Sequence, residues 1–237
     1  MRTILSLGLL LVAATASAFL APAPAVAATA GTTLLELFTS QGCSSCPPAD
    51  KAVADVADRP GVVVLSRPVT YWDRLGWKDT LARPENTLLQ HQYQARFGAR
   101  SVYTPQLVAD GQRQWVGSNR GRLADELRHM KDSASVSIAS LPDGRLSITV
   151  NGAAAGRAEV RLVDVASRRD VVVKRGENGG RRLSYTNVVL GERMLGSWTG
   201  GRKSYAATNA GLAGDRLVAI VQMPDAGPVL GAAIVNR

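Results

Sequence analysis

The sequence predicts an α/β layer over residues 29–133 followed by an all-β, sandwich-like domain over residues 134–237. Three observations predict this. Up to Met130, strand-length apolar runs alternate with segments of helical spacing, the pattern of strands covered by helices on both faces. From Ser135 onward the texture changes to short segments of period two, separated by turns containing Gly, Asn and Asp. With 46% hydrophobic and 20% charged residues, the chain can bury a core and does not belong with disordered proteins.

The elements follow in order. Met1-Arg2-Thr3 carries one positive charge ahead of the apolar stretch Ile4 to Ala14, and Ala16-Ser17-Ala18 and Ala25-Val26-Ala27 offer small-residue cleavage sites. This is the layout of a secretory signal peptide, expected over residues 1–28, so the mature protein is expected to be periplasmic or secreted. No later apolar run approaches a bilayer span. Thr33 to Phe38 reads as a buried strand with one charge, Glu36, inside it. Ala49 to Ala57 has helical spacing, and Val62 to Leu65 is a second buried strand. Glu85 to Phe97 is a helix stopped by Gly98. Gln106 to Ala109 and Gln114 to Val116 form a hairpin around Asp110-Gly111, and Arg120 to Met130 is a third helix. The boundary is expected at residues 132–135. Beyond it the strands are 145–150, 158–165, 170–173, 183–189, 217–223 and 229–235.

Both cysteines of the chain lie in Cys43-Ser-Ser-Cys46, between the first strand and the first helix. A strand–CxxC–helix unit is the thioredoxin arrangement, and it explains the spacing. Two intervening residues let the sulfurs bridge in one tight turn. The positive end of the helix dipole would stabilise a Cys43 thiolate, the attacking group, with Cys46 as the resolving thiol. Three other readings compete. A structural disulfide closing so short a loop constrains little of the unfolded chain. A zinc site would need His91 and His129, which stand far apart in sequence. Haem attachment needs a histidine where Pro47 stands. No metal and no cofactor is expected. Thr104-Pro105, directly before the third strand, is the place where such an arrangement puts a cis proline, with Thr104 offering backbone hydrogen bonds to a substrate chain. Glu36, a desolvated acid seven residues before Cys43, is the candidate proton acceptor for Cys46. Tyr71 and Trp72, in the aromatic loop 71–79, are either a platform for a partner polypeptide or packing for the core.

The stretches Leu35 to Asp50 (LELFTSQGCSSCPPAD), Tyr71 to Asp79 (YWDRLGWKD) and Ser101 to Gln106 (SVYTPQ) resemble a family of secreted bacterial proteins. It is the domain-of-unknown-function family numbered twelve twenty-three. The resemblance covers nearly all of the mature chain and implies export and a thioredoxin-like fold, but no substrate. Arg67-Pro68-Val69-Thr70 stand where the family pattern has Phe-His-Val-Asp, so any role of that His and Asp is absent here.

The net charge is +9, and most of the excess lies after Ser135, with 14 Lys/Arg against 8 Asp/Glu. These cations are scattered, with no basic helix face and no interleaved aromatic ladder. Nucleic acid is therefore not an expected partner, whereas peripheral contact with anionic envelope surfaces suits the charge. The expected function is an exported thiol–disulfide oxidoreductase acting on protein thiols or disulfides or on a small thiol. The alternative is a non-catalytic envelope binding protein with a structural disulfide. A Cu(I) carrier on the two cysteines would lack nearby Met or His ligands.

Overall fold

A computed structural model of the chain describes residues 32–129 and 134–237. The expected signal peptide lies outside the described residues, as do residues 130–133, where most of the expected boundary falls. Among the described residues no helix is long and apolar enough to cross a membrane.

The first half runs β1 (Thr33–Thr39), α1 (Pro47–Ala54), β2 (Val62–Pro68), α2 (Pro84–Arg96), β3 (Gln106–Ala109), β4 (Arg113–Val116) and α3 (Arg120–Arg128). β1 lies parallel to β2 and antiparallel to β3. Asp110 and Gly111, both with positive φ, make the tight β3–β4 turn. A Cβ on Gly111 would stand 2.3 Å from the Gly227 carbonyl oxygen, so this turn also presses against the second half. Alternation in β1 sorts the layers. Leu35 and Leu37 pack with Ala49, Ala52 and Val53 of α1 and Leu123 and Leu127 of α3. Phe38 faces the other way, against Leu89 and Tyr93 of α2.

The second half contributes β5 (Ser135–Ser140), β6 (Arg145–Asn151), β7 (Ala158–Val172), β8 (Arg182–Trp198), β9 (Lys203–Thr208), β10 (Arg216–Gln222) and β11 (Val229–Asn236). Its strands correct the expected fold class. The molecule is mostly β, and one mixed sheet of eight strands runs β11-β10-β7-β8-β2-β1-β3-β4 through both halves. Among the described residues there is neither a thioredoxin-like α/β domain nor a separate sandwich. The physical reason lies in β2. Every residue from Val62 to Pro68 is buried, so its second edge must be paired. β8 supplies that edge in parallel at Ser66 and Val188, and the Ser66 hydroxyl donates to the Thr186 carbonyl at 2.7 Å. The small sheet β5-β6-β9 covers only the far end, where Ile138, Ile148 and Val150 meet Leu162, Trp198 and Leu217.

β7 and β8 form one long hairpin whose register shifts between Val160 and Arg161 and between Asp164 and Val165. Its distal half continues past the sheet. The turn beyond it, 173–181, is closed by Val173 N–H donating to the Arg181 carbonyl and Gly180 N–H donating to the Val173 carbonyl. That turn ends on the loop between β1 and α1.

Candidate functional site

Cys43 and Cys46 form a disulfide with Cα atoms 5.4 Å apart. Cys46 is the N-cap of α1 and already has helical backbone angles. Pro47 and Pro48 fill the first turn and carry no N–H, while the N–H groups of Ala49 and Asp50 donate to the Cys46 carbonyl. The helix start therefore offers the sulfurs mainly its dipole rather than free donors. Ser44 and Ser45 are exposed, yet both cysteines are 0% exposed.

Three segments close over this loop. The aromatic loop grips Gln41. Its backbone N–H donates to Asp79 at 2.7 Å, and its side-chain oxygen accepts from the Trp77 indole at 2.8 Å. Trp72 lies against Gly42, where a Cβ would come within 3.0 Å of the Trp72 Cβ. The Trp72 indole N–H donates to the Thr104 hydroxyl at 2.8 Å, which brings in the third segment's predecessor, the cis Thr104-Pro105 bond. Finally, the hairpin turn caps the loop. Asn178, fully buried, donates from Nδ2 to the carbonyls of Gln41 (3.0 Å) and Cys43 (2.9 Å), and Glu177 accepts from the Ser44 N–H at 3.1 Å.

The structure thus gathers Cys43, Cys46, Trp72, Thr104 and Pro105 into one neighbourhood. Tyr71 and Trp72 are half-buried against the Phe38 and Tyr93 core, so they serve packing there. Burial pushes the Tyr71 phenol up to about 12. Among the described residues no group of three or more His, Cys, Asp or Glu is placed to hold a metal ion.

Glu36 is not brought to the cysteines. It shares the sheet face of Phe38, away from α1, and lies in a buried ionic network. Arg67 Nε donates to it at 2.6 Å, and the Tyr93 hydroxyl donates to its other oxygen. Arg67 also donates to Glu192 and to Asn86, and Arg161 pairs with Glu192. Against its own desolvation, Arg67 and Arg161 hold the Glu192 carboxyl low.

The acid beside the disulfide is Asp50, which sequence reasoning did not single out. It stands four residues after Cys46 on the same helix, so the two side chains are neighbours along one face, about 5–6 Å apart at Cβ. Asp50 is 4% exposed and its Oδ1 makes no hydrogen bond of normal geometry, although the Thr39 hydroxyl is near enough to favour its charged form and the Tyr185 ring lies close by. Burial outweighs the favourable Thr39 hydroxyl and, reinforced by the Asp79 charge, pushes the Asp50 carboxyl up to about 8. The i, i+4 spacing from Cys46 was the signal that could have found it.

A stability prediction follows from that shift. The folded state keeps a proton that the unfolded state releases near 3.8. Asp50 therefore leaves stability intact at low pH and removes it progressively as pH rises from about 4 to about 8. Asp50→Asn should flatten this decline, read as the urea midpoint at several pH values. An unchanged slope would show that another group sets it.

The profile of a family described as "Protein of unknown function (DUF1223)" matches residues 34–222. A crystal structure of protein AGR_C_4864 from Agrobacterium tumefaciens is 30% identical, with a TM-score of 0.78, covering 88% of this chain and 95% of that one. HBP35 of Porphyromonas gingivalis matches at 14% identity and a TM-score of 0.57, over 87% of this chain and 75% of that one, a likeness of fold alone. None of the curated proteins matches. The chain belongs to the DUF1223 family.

Proposed function

We propose that this member of the DUF1223 family is an exported thiol–disulfide exchange protein whose disulfide works behind a closed cap. The observation that carries the reading is Asp50. A disulfide spanning two residues adds little as a staple, so a staple gives no reason to bury beside it a carboxyl that burial keeps protonated. An exchange site does give one, because the leaving thiolate needs a proton.

The reaction balances as follows. A substrate thiolate attacks Cys43 Sγ, a new S–S bond forms, and the Cys43–Cys46 bond breaks with its electron pair going to Cys46. The protonated Asp50 carboxyl gives its proton to that thiolate. A second substrate thiolate then attacks the substrate sulfur of this mixed disulfide, and the bond to Cys43 breaks with its electron pair going to Cys43. That thiolate takes up the proton the second thiol lost, so the substrate pair is oxidised and the protein dithiol is left reduced. The reverse sequence reduces a substrate disulfide.

One observation favours a second reading. With both sulfurs at 0% exposure, the pair would suit an envelope binding protein with an inert disulfide. The equilibrium potential of the pair against glutathione buffers separates the two. We expect it between about −270 and −120 mV, the range of exchange proteins. A value below about −300 mV with no exchange would overturn the proposal in favour of the second reading.

A further inference from the structure

We infer that the groove between α1 and the first residues of β8 binds the carboxylate of a small acidic thiol or disulfide, the substrate of the exchange proposed above. The inference rests on that reading and names the class of molecule it acts on.

The groove has a volume of about 390 Å³, near the lower end for small-molecule sites. Pro47, Asp50 and Lys51 line it from the helix, and Arg168, Arg181 and Arg182 from the hairpin. Its place follows from the chain: Pro47 adjoins Cys46, and Arg181 adjoins the cap, donating to Asn178 Oδ1 at 2.7 Å. A molecule seated here touches both the helix that carries the disulfide and the turn that covers it.

The lining chemistry is specific for an anion. Asp55 also lines the groove and is paired with Lys51 and Arg120, while Arg168 is paired with Asp170. Arg181 and Arg182 make no direct ion pair among the described residues, although Arg182 lies within electrostatic reach of Asp170, so the lining keeps a net positive charge. Asp50 lines the same groove, with its Oδ1 buried. A carboxyl kept neutral by burial does not repel a carboxylate. Arginine forks and a protonated acid together form a carboxylate cradle. The size of the groove favours a low-mass molecule over a protein segment.

The probe is S-methylglutathione, which carries two carboxylates but no thiol, so binding is measured apart from exchange. Titrated calorimetrically into the whole protein, it should saturate with a Kd of about 1 mM or below. Binding should weaken roughly tenfold in Arg182→Glu and for the dimethyl ester of the probe, and survive in Arg182→Lys. No saturable heat up to about 20 mM, well above a millimolar Kd, would overturn the site. So would equal affinity for the ester, or equal affinity in Arg182→Glu. Saturable binding by a protein whose disulfide never equilibrates with thiols would overturn the substrate role, because the reading it rests on would have failed while the anion site remained.

Discussion

Replacing Asn178 by alanine is expected to speed reduction of the Cys43–Cys46 disulfide by about 30-fold. The closed loop gives an attacking thiolate no route, since neither sulfur is exposed, so the cap must lift before exchange. Asn178 holds it shut through two buried hydrogen bonds to the carbonyls of Gln41 and Cys43. At about 1 kcal/mol net for each bond, their loss lowers the opening free energy by about 2 kcal/mol, which is about 30-fold in the open population. The rate is read by quenching dithiothreitol reduction with an alkylating agent and following the mass shift. Glu177→Gln tests whether burial is what matters. Its contact with the Ser44 N–H is exposed, and such contacts contribute about 0–1 kcal/mol, so it should change the rate by less than about fivefold. If Asn178→Ala is reduced no faster than the parent while remaining folded, the turn 173–181 is not the gate.

Most elements near the cysteines were legible because their signals are local. The predicted first strand, the hairpin at Asp110-Gly111 and the helix after Pro84 all stand within a residue or two of their observed bounds. The cis bond at Thr104-Pro105 stands where the order of elements put it. Glu36 failed as a proton acceptor for a reason that parity could have revealed. If Leu35 and Leu37 face the helix that follows the cysteines, Glu36 must face the other side. Asn178 had no such signal, because it reaches Cys43 across 135 positions of sequence. The single sheet was hidden for a related reason. β7 breaks its period-two pattern at two register shifts and exposes Arg168, Arg169 and Asp170, which reads as an interruption at 166–169 although the strand continues to Val172. β5 and β9 were passed over as well. Each turns only two apolar residues to the core, Val136 and Ile138 from β5 and Tyr205 and Ala207 from β9, and only packing against β7 and β10 makes that face visible.

Arg67→Met is expected to cost about 3–5 kcal/mol of stability, the largest thermodynamic loss foreseen from one substitution in this chain. Arg67 is 1% exposed and sits in β2, at the point where the sheet passes from the first half to the second. Its guanidinium holds Glu36 from β1 and Glu192 from β8, while Asn86 of α2 accepts a further bond. The network extends through Tyr93 and Gln222 into β10, and through Arg161 into β7. Glu36 and Glu192 balance Arg67 and Arg161, so removing Arg67 leaves one buried negative charge without compensation. The double variant Glu36→Gln, Arg67→Met should recover part of the loss, since the strongest unpaired charge is gone as well. Urea denaturation with the disulfide intact measures all three proteins, and a loss below about 1 kcal/mol for Arg67→Met would mean that the network is already satisfied by water. The shape of the curves carries a second test. Because the network joins strands from both halves of one sheet, the parent should unfold in a single transition. Loss of Arg67 should weaken the β2–β8 seam first, and two separated transitions in that variant would locate the seam as the place where the halves are tied.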